Sequence, residues 1–243
     1  MTSTGSMITF EELLEDMVRG TGAVGTDDAD APAFPAGLQL EPLRVLGRGG
    51  SGWVFAARDP LLDREVAVKV SRRDAGAAAL LLEEARVTSR LQHPAVLPVY
   101  RVLQTGHSVA VVFQLAPEAT LGSWIGDLSR GASQVPLRQR LGVLSRILDA
   151  VAHAHGLGVV HGDLHPANVG IDPRLSCRVL DWGGTSAAGG TFGGSPGYAA
   201  PEQLQGAGPS AEADVYALGA MLFELIELRP LRARRHDEDL GAF

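Results

Sequence analysis

The chain has 243 residues, 45% of them hydrophobic, and carries a net charge of −7 at pH 7. That is enough apolar material for one large domain or two lobes, and it excludes a globally disordered chain. The single cysteine, Cys177, excludes an internal disulfide and a cysteine metal cluster and fits a reducing, cytoplasmic setting, while the near-neutral body behind an acidic leader offers no nucleic-acid footprint.

Residues 1–36 hold seven acids against one arginine. Within them, Ile8 to Arg19 spaces apolar groups as one face of a short helix, and residues 20–37, rich in Gly, Ala, Asp and Pro, predict a linker. No basic segment followed by an apolar stretch opens the chain, so a secretory signal is not expected. The longest apolar run, Tyr216 to Leu228, is broken by Glu224 and Glu227, and no membrane span is expected.

Leu40 to Leu46 predicts a strand, followed by glycines at 47, 49 and 52 and a second strand, Trp53 to Ala57. A glycine turn between two strands can close over phosphates with its N–H groups, whereas a dinucleotide fold would follow the glycines with a helix. A third strand, Arg64 to Val70, carries Lys69. Twenty of the 21 basic residues are arginine and this is the only lysine; a compact ammonium suits a point contact with phosphate. Ala75 to Leu91 predicts a helix carrying Glu83 and Glu84 and ended by His93-Pro94. Two strands follow, Val96 to Leu103 and Ser108 to Gln114. A long amphipathic helix is then expected from Pro136 to Leu157. Val169 to Ile171 and Arg178 to Leu180 predict a small hairpin, residues 183–197 a glycine-rich loop, and Asp214 to Leu228 a strongly apolar, buried helix.

The chemistry concentrates in His161-Gly162-Asp163-Leu164-His165-Pro166-Ala167-Asn168 and in Asp181, thirteen residues beyond Asn168. A carboxylate, an amide and a second carboxylate on adjacent loops can orient a hydroxyl nucleophile and hold Mg²⁺ against a phosphate.

These residues resemble the eukaryotic-type (Hanks-type) Ser/Thr protein kinases of bacteria. The motifs run in order: G-x-G-x-x-G-x-V at 47–54, V-A-V-K at 66–69, H-x-D-L-x-x-x-N at 161–168, D-x-G at 181–183, A-P-E at 200–202 and D-V-Y-x-L-G at 214–219. The resemblance implies an α+β, two-lobed protein-kinase-like fold. The leader would be residues 1–37, the N-lobe and hinge 38–116, and the mainly helical C-lobe 117–243, shortened after the helix at 214–228. It implies ATP and Mg²⁺ as cofactors and protein Ser/Thr hydroxyls as acceptors. Lys69 would hold the α/β-phosphates and pair with Glu84; Glu83 points about 100° away around the helix. Asp163 would accept the hydroxyl proton, and Asn168 and Asp181 would bind Mg²⁺. Gly47, Gly49 and Gly52 would cover the phosphates, and Val54 and Ala67 would contact adenine. Phe113 would be the gatekeeper, with Gln114 to Ala116 as the hinge. Ser195 would contact the catalytic Asp through a small hydroxyl side chain, and His161 would pack beneath the loop.

Several positions depart from the family. Gly162 replaces the Arg that commonly meets a phosphorylated activation loop, so activation by loop phosphorylation is not expected. His165 replaces the Lys that supports the transferring phosphate; an imidazole ordinarily changes charge near neutral pH. Gly170 stands where a large apolar residue usually floors the adenine pocket. Trp182 replaces Phe. The Arg that pairs with the Glu of A-P-E lies in helices this chain lacks, leaving Arg229, Arg232, Arg234 or Arg235 to substitute for Glu202. Without those helices, exposed apolar surface is expected on the helix at 214–228, with homo- or hetero-association as one way to cover it. Two other functions stay open: a pseudokinase acting as a nucleotide-binding or scaffolding module, and a small-molecule phosphotransferase, since H-G-D-L-H-P-x-N with D-W-G is also similar to aminoglycoside-phosphotransferase-like kinases.

Overall fold

The computed structural model describes residues 34–48, 52–72, 74–105, 108–183 and 195–232. The leader helix expected at 8–19, most of the linker, Gly49 and most of the loop after Gly183 lie outside them. The chain divides into two compact units, one running to Leu81 and including Arg101–Val112, the other comprising Leu82–Tyr100 and Phe113 onward.

The first unit is built on a five-stranded sheet of order β1-β2-β3-β5-β4. Its strands are β1 (Glu41–Arg48), β2 (Gly52–Asp59), β3 (Arg64–Ser71), β4 (Val99–Thr105) and β5 (Ser108–Gln114). Alternation along β2 and β3 sorts the side chains between two faces. Trp53, Phe55, Ala57, Val66, Val68 and Val70 join Ala110 and Val112 in one core. Leu38 belongs to the same core and Phe34 packs against it, its ring edge-on to Phe55 at 5.8 Å. The packed chain therefore starts before the end of the expected linker, because Pro35 to Leu38 closes a turn that brings these apolar groups onto the sheet. The opposite register positions, Val54 facing Lys69 and Ala56 facing Ala67, share the other face.

Helix α1 (Ala75–Arg90) starts where Asp74 Oδ1 accepts the Ala77 amide at 2.7 Å, a side-chain N-cap. Its C-terminal half and the turn after it belong to the second unit, because Leu91, Ala95 and Val96 are buried in that unit's core. Val96 is not in β4; it bridges to Val179 instead.

The second unit holds β6 (Ala119–Thr120), α2 (Leu121–Ser129), α3 (Leu137–Gly156), β7 (Val169–Ile171), β8 (Cys177–Val179), α4 (Pro201–Leu204) and α5 (Ala211–Glu227). Along α3, Val143, Leu144, Ile147, Ala150, Val151 and Ala154 are buried at helical spacing. They meet Leu121 and Ile125 of α2, the β7–β8 hairpin, and Ala217, Leu218, Met221 and Leu225 of α5 in one core. Helix α2 was not expected from the sequence; Thr120 and Ser123 close a reciprocal cap at its start, offsetting the low propensity of Gly122 and Gly126. Helix α5 begins at Ser210, whose side chain accepts the Ala213 amide, and ends at Leu228 in the left-handed region. Arg140 of α3 donates to the carbonyls of Leu225 and Ile226, satisfying the last turn of α5. The helix is not buried all round: Val215, Leu222 and Ile226 are exposed, with Val215 at 62%. No helix among the described residues is long and apolar enough to cross a membrane.

Candidate active site

The loop from His161 to Asn168 is held from below by one carboxylate. Asp214, 1% exposed in the first turn of α5, accepts the His161 amide through Oδ2 and the Gly162 amide through Oδ1, each at 2.8 Å. His155 Nε2 lies 2.8 Å from the same Oδ2. A carboxylate so buried must be compensated, and three partners supply this. A second tie comes from Gln203 in α4, whose Nε2 donates to Gly162 O at 3.1 Å while its Oε1 accepts the Ala200 amide at 3.0 Å. Gln203 thus joins the A-P-E segment to the catalytic loop. His161 is fully buried, its Nε2 2.9 Å from Leu180 O and its ring 4.9 Å from that of Trp182. Burial pushes the His161 imidazole below its ordinary pKa, outweighing the nearby carboxylates, so it stays neutral. Its role is structural, as the sequence suggests.

Asp163 rises from this base. Ser195 N–H donates to its Oδ1 at 3.1 Å, and His165 Nε2 stands 3.6 Å from Oδ2, an electrostatic contact rather than a full hydrogen bond. Burial alone would raise the Asp163 carboxyl; the facing His165 ring and the Ser195 amide outweigh it and hold the group below the usual carboxylate range. The Ser195 contact is made by the backbone, not by the hydroxyl expected from the sequence. His165 Nδ1 accepts the Ala167 amide at 3.3 Å, so a neutral ring carries its proton on Nε2, the nitrogen facing Asp163. The ring stacks on Tyr198 at 6.2 Å.

Asn168 donates through Nδ2 to Asp163 O at 2.9 Å, which leaves its amide oxygen for a cation. Its own carbonyl accepts the Leu180 amide at 2.9 Å, so the loop carrying Asp181 is tied to Asn168. Asp181 is exposed and adopts φ +56°, a left-handed conformation that costs a non-glycine residue energy and concentrates at functional sites. Buried Trp182, donating from Nε1 to Val179 O at 3.3 Å, anchors the following residue. No group of three or more His, Cys, Asp or Glu side chains that could hold a metal ion exists among the described residues. An amide oxygen and a carboxylate beside phosphate oxygens nevertheless fit Mg²⁺, which takes few protein ligands and keeps several waters.

On α1, Glu84 is 8% exposed whereas Glu83 is exposed and faces Arg86 at 3.5 Å, so burial separates the two acids as their 100° offset predicts. Phe113 is buried at the end of β5, and the Gln114 amide bonds Pro98 O at 3.0 Å. Ala116 is half-buried. The next residue, Pro117, occupies the space that a side chain at Gly170 would need: a Cβ there would lie 3.0 Å from Pro117 Cδ. The residue after the expected hinge thus fills the space that a side chain at Gly170 would take.

In the first unit, Lys69 lies directly across from Val54, and Ala67 shares their face two residues away. Gly52 begins β2 where a Cβ would fall 1.9 Å from Val70 O, so only glycine fits. Gly47 lies at a register shift in β1, and its partner Gly49 lies outside the described residues.

The family model for the protein kinase domain matches residues 40–241. The chain belongs to the protein kinase family. This kinase domain is 34% identical over 197 residues to the serine/threonine-protein kinase PrkC of Bacillus subtilis, covering 76% of this chain and 30% of that protein. It is 37% identical over 204 residues to the DNA damage-responsive serine/threonine-protein kinase RqkA of Deinococcus radiodurans, covering 77% and 29%. A probable serine/threonine-protein kinase of Streptomyces coelicolor is 32% identical over 199 residues, covering 76% and 30%. The chain spans about 30% of the length of each relative.

The kinase domain also uses residues that the motifs did not single out. Gln203, His155, Tyr198 and Glu224 carry hydrogen bonds around the loop, and Tyr198 Oη donates to Glu224 Oε2. In the sequence Gln203, Tyr198 and Glu224 are marked only by closeness to A-P-E and D-V-Y-x-L-G, and His155 only by closeness to His161. Among the described residues Glu202 is exposed and forms no ion pair; of the four arginines weighed as its substitute partner, Arg232 instead donates to Ala199 O at 3.1 Å. Arg229 faces Glu227, and Arg234 and Arg235 lie outside the described residues.

Proposed function

We propose that this kinase domain transfers the γ-phosphate of ATP, with Mg²⁺, to Ser or Thr hydroxyls of cytoplasmic proteins. The observation that carries this is the Asp163 carboxylate, held below its ordinary pKa between the Ser195 amide and His165, with Asn168 bonded to its backbone. A carboxylate kept ionised and supported from two sides suits accepting the proton of an attacking hydroxyl. The hydroxyl oxygen forms the new bond to the γ-phosphorus, the bond to the bridging oxygen breaks, and ADP leaves with that electron pair. Lys69 is the compact cation for the phosphates, and Glu84 is its proposed partner. Gly47, Gly49 and Gly52 would cradle the phosphates, and Val54, Ala67, Phe113, Gln114 and Ala116 would frame the adenine. Asn168 and Asp181 would hold Mg²⁺, which when bound neutralises charge on the phosphates. Similarity to serine/threonine-protein kinases supports a protein hydroxyl over a small-molecule acceptor.

The test is transfer from γ-labelled ATP with Mg²⁺ to myelin basic protein and to the domain itself, with Asp163→Asn as control. Transfer by the wild type that Asp163→Asn abolishes supports the proposal. Measurable ATP binding with no transfer overturns it in favour of a nucleotide-binding module, and transfer only to a small alcohol or aminoglycoside overturns the protein acceptor.

A further inference from the structure

The segment that supplies the Ser195 amide is held from the C-terminal end of α5. Ser195 O accepts the Tyr198 amide at 3.0 Å, closing a turn. Tyr198 is fixed at its far end by Glu224, a buried acid of α5, and at its ring by His165. The next carbonyl, Ala199 O, accepts from Arg232 at 3.1 Å. The guanidinium also lies over the Tyr216 ring at 5.4 Å, so α5 supplies the platform on which the tether rests. A planar, permanently charged group suits this double contact, which a flexible ammonium matches less well.

We propose that Arg232 is a positioning residue: it clamps residues 195–200 to α5 and thereby holds the Ser195 amide against Asp163. This rests on the phosphotransfer proposed above for the same site. The clamp acts on a backbone carbonyl, so it neither depends on Glu202 nor needs a phosphorylated side chain in the loop. It also accounts for an arginine placed past the end of α5, where packing alone needs no charge.

The test compares wild type, Arg232→Ala, Arg232→Lys and Arg229→Ala. Arg229 is an apt control: exposed, stacked over Phe223 at 5.0 Å and facing Glu227, with no contact to the segment. Amide hydrogen exchange is followed across residues 195–200, and kcat and KM are measured with ATP and myelin basic protein. Arg232→Ala should speed exchange at 195–200 while α3 and α5 keep their protection. It should lower kcat about tenfold, the worth of one charge-assisted hydrogen bond, without changing KM for ATP. Arg232→Lys should recover part of each effect, and Arg229→Ala should behave as wild type. Unchanged exchange at 195–200 in Arg232→Ala overturns the proposal, as does faster exchange throughout the second unit, which would make the role generally structural. Should Arg232→Ala not fold, Arg232→Gln, which keeps the stem, is judged by the same criteria. A wild type that transfers no phosphate would refute the phosphotransfer reading, while the exchange measurement still decides whether Arg232 holds the segment.

Discussion

Replacing Asp214 by Asn should destabilise the second unit by about 3 kcal/mol, most of it through two backbone amides. Asp214 Oδ1 and Oδ2 accept Gly162 N–H and His161 N–H, and His155 shares Oδ2. Asn keeps the shape but only one acceptor; its NH₂ group must face either the Gly162 amide N–H or the His161 amide N–H together with the His155 ring. One charge-assisted hydrogen bond, worth about 1.5–3 kcal/mol, is lost, and one buried donor is left unpaired at about 1–3 kcal/mol. Partial relaxation brings the sum to about 3 kcal/mol, a large share of the roughly 5–15 kcal/mol typical of a domain. Urea unfolding followed by tryptophan fluorescence reads this directly, Trp182 being buried in the same core. With a urea slope of about 1–3 kcal/mol per M, the midpoint should fall by at least about 1 M. A shift below about 0.3 M would show that the amides find other partners and that Asp214 does not hold the loop.

Three further outcomes follow from the same contacts. His161 is buried and neutral in the folded state but takes up a proton in the unfolded state below about pH 6.5. The unfolded chain then binds more protons, so its share of stability is complete above about 6.5 and is lost as pH falls below it; urea midpoints from pH 5 to 8 should show this slope in wild type and a flatter one in His161→Phe. Gly170→Leu should cost about 1–3 kcal/mol by overpacking against Pro117, and adding Pro117→Ala should recover part of it in a double-mutant cycle. Mutating Thr185, Ser186 and Thr191 together to Ala should leave phosphotransfer intact, since Gly162 offers no cation for a phosphorylated loop; a large loss of activity in a filter-binding assay would refute this.

The sheet of the first unit was legible because its strands announce themselves by period-two alternation and by the turns between them. The boundaries of β3 and β5 follow from Arg64 to Val70 and Ser108 to Gln114 within a residue. Val96 misled because it is apolar and precedes a strand, yet its burial comes from a bridge to Val179 in the other unit. Helix α2 was missed because two glycines lower its propensity and the evidence for it is a cap rather than a period. At Val96 a contact distant in sequence overrode a local signal. The same holds for Phe34 and Leu38, whose place in a core cannot be read from a Gly-, Ala- and Pro-rich leader.

At the site, the side chains proposed to do the chemistry were legible by type, and the backbone groups that hold them were not. Asp163, Asn168 and Asp181 stand out by type and spacing; the Ser195 amide, the Gly162 amide and the Ala199 carbonyl leave no trace in residue identity. This distinction explains how Gly162 departs from the family pattern without dismantling the loop. Its N–H goes to Asp214 and its carbonyl to Gln203, so the position is held entirely through its backbone. Losing the side chain removes a phosphate-binding cation but none of the bonds that place Asp163. His165 differs in kind, because its ring both caps the turn at Pro166–Asn168 and faces the Asp163 carboxylate. Changing residue 165 therefore alters the electrostatics at the Asp163 carboxylate and the geometry of the loop that presents Asn168, whereas any side chain at residue 162, where φ is +80°, acts by straining the backbone.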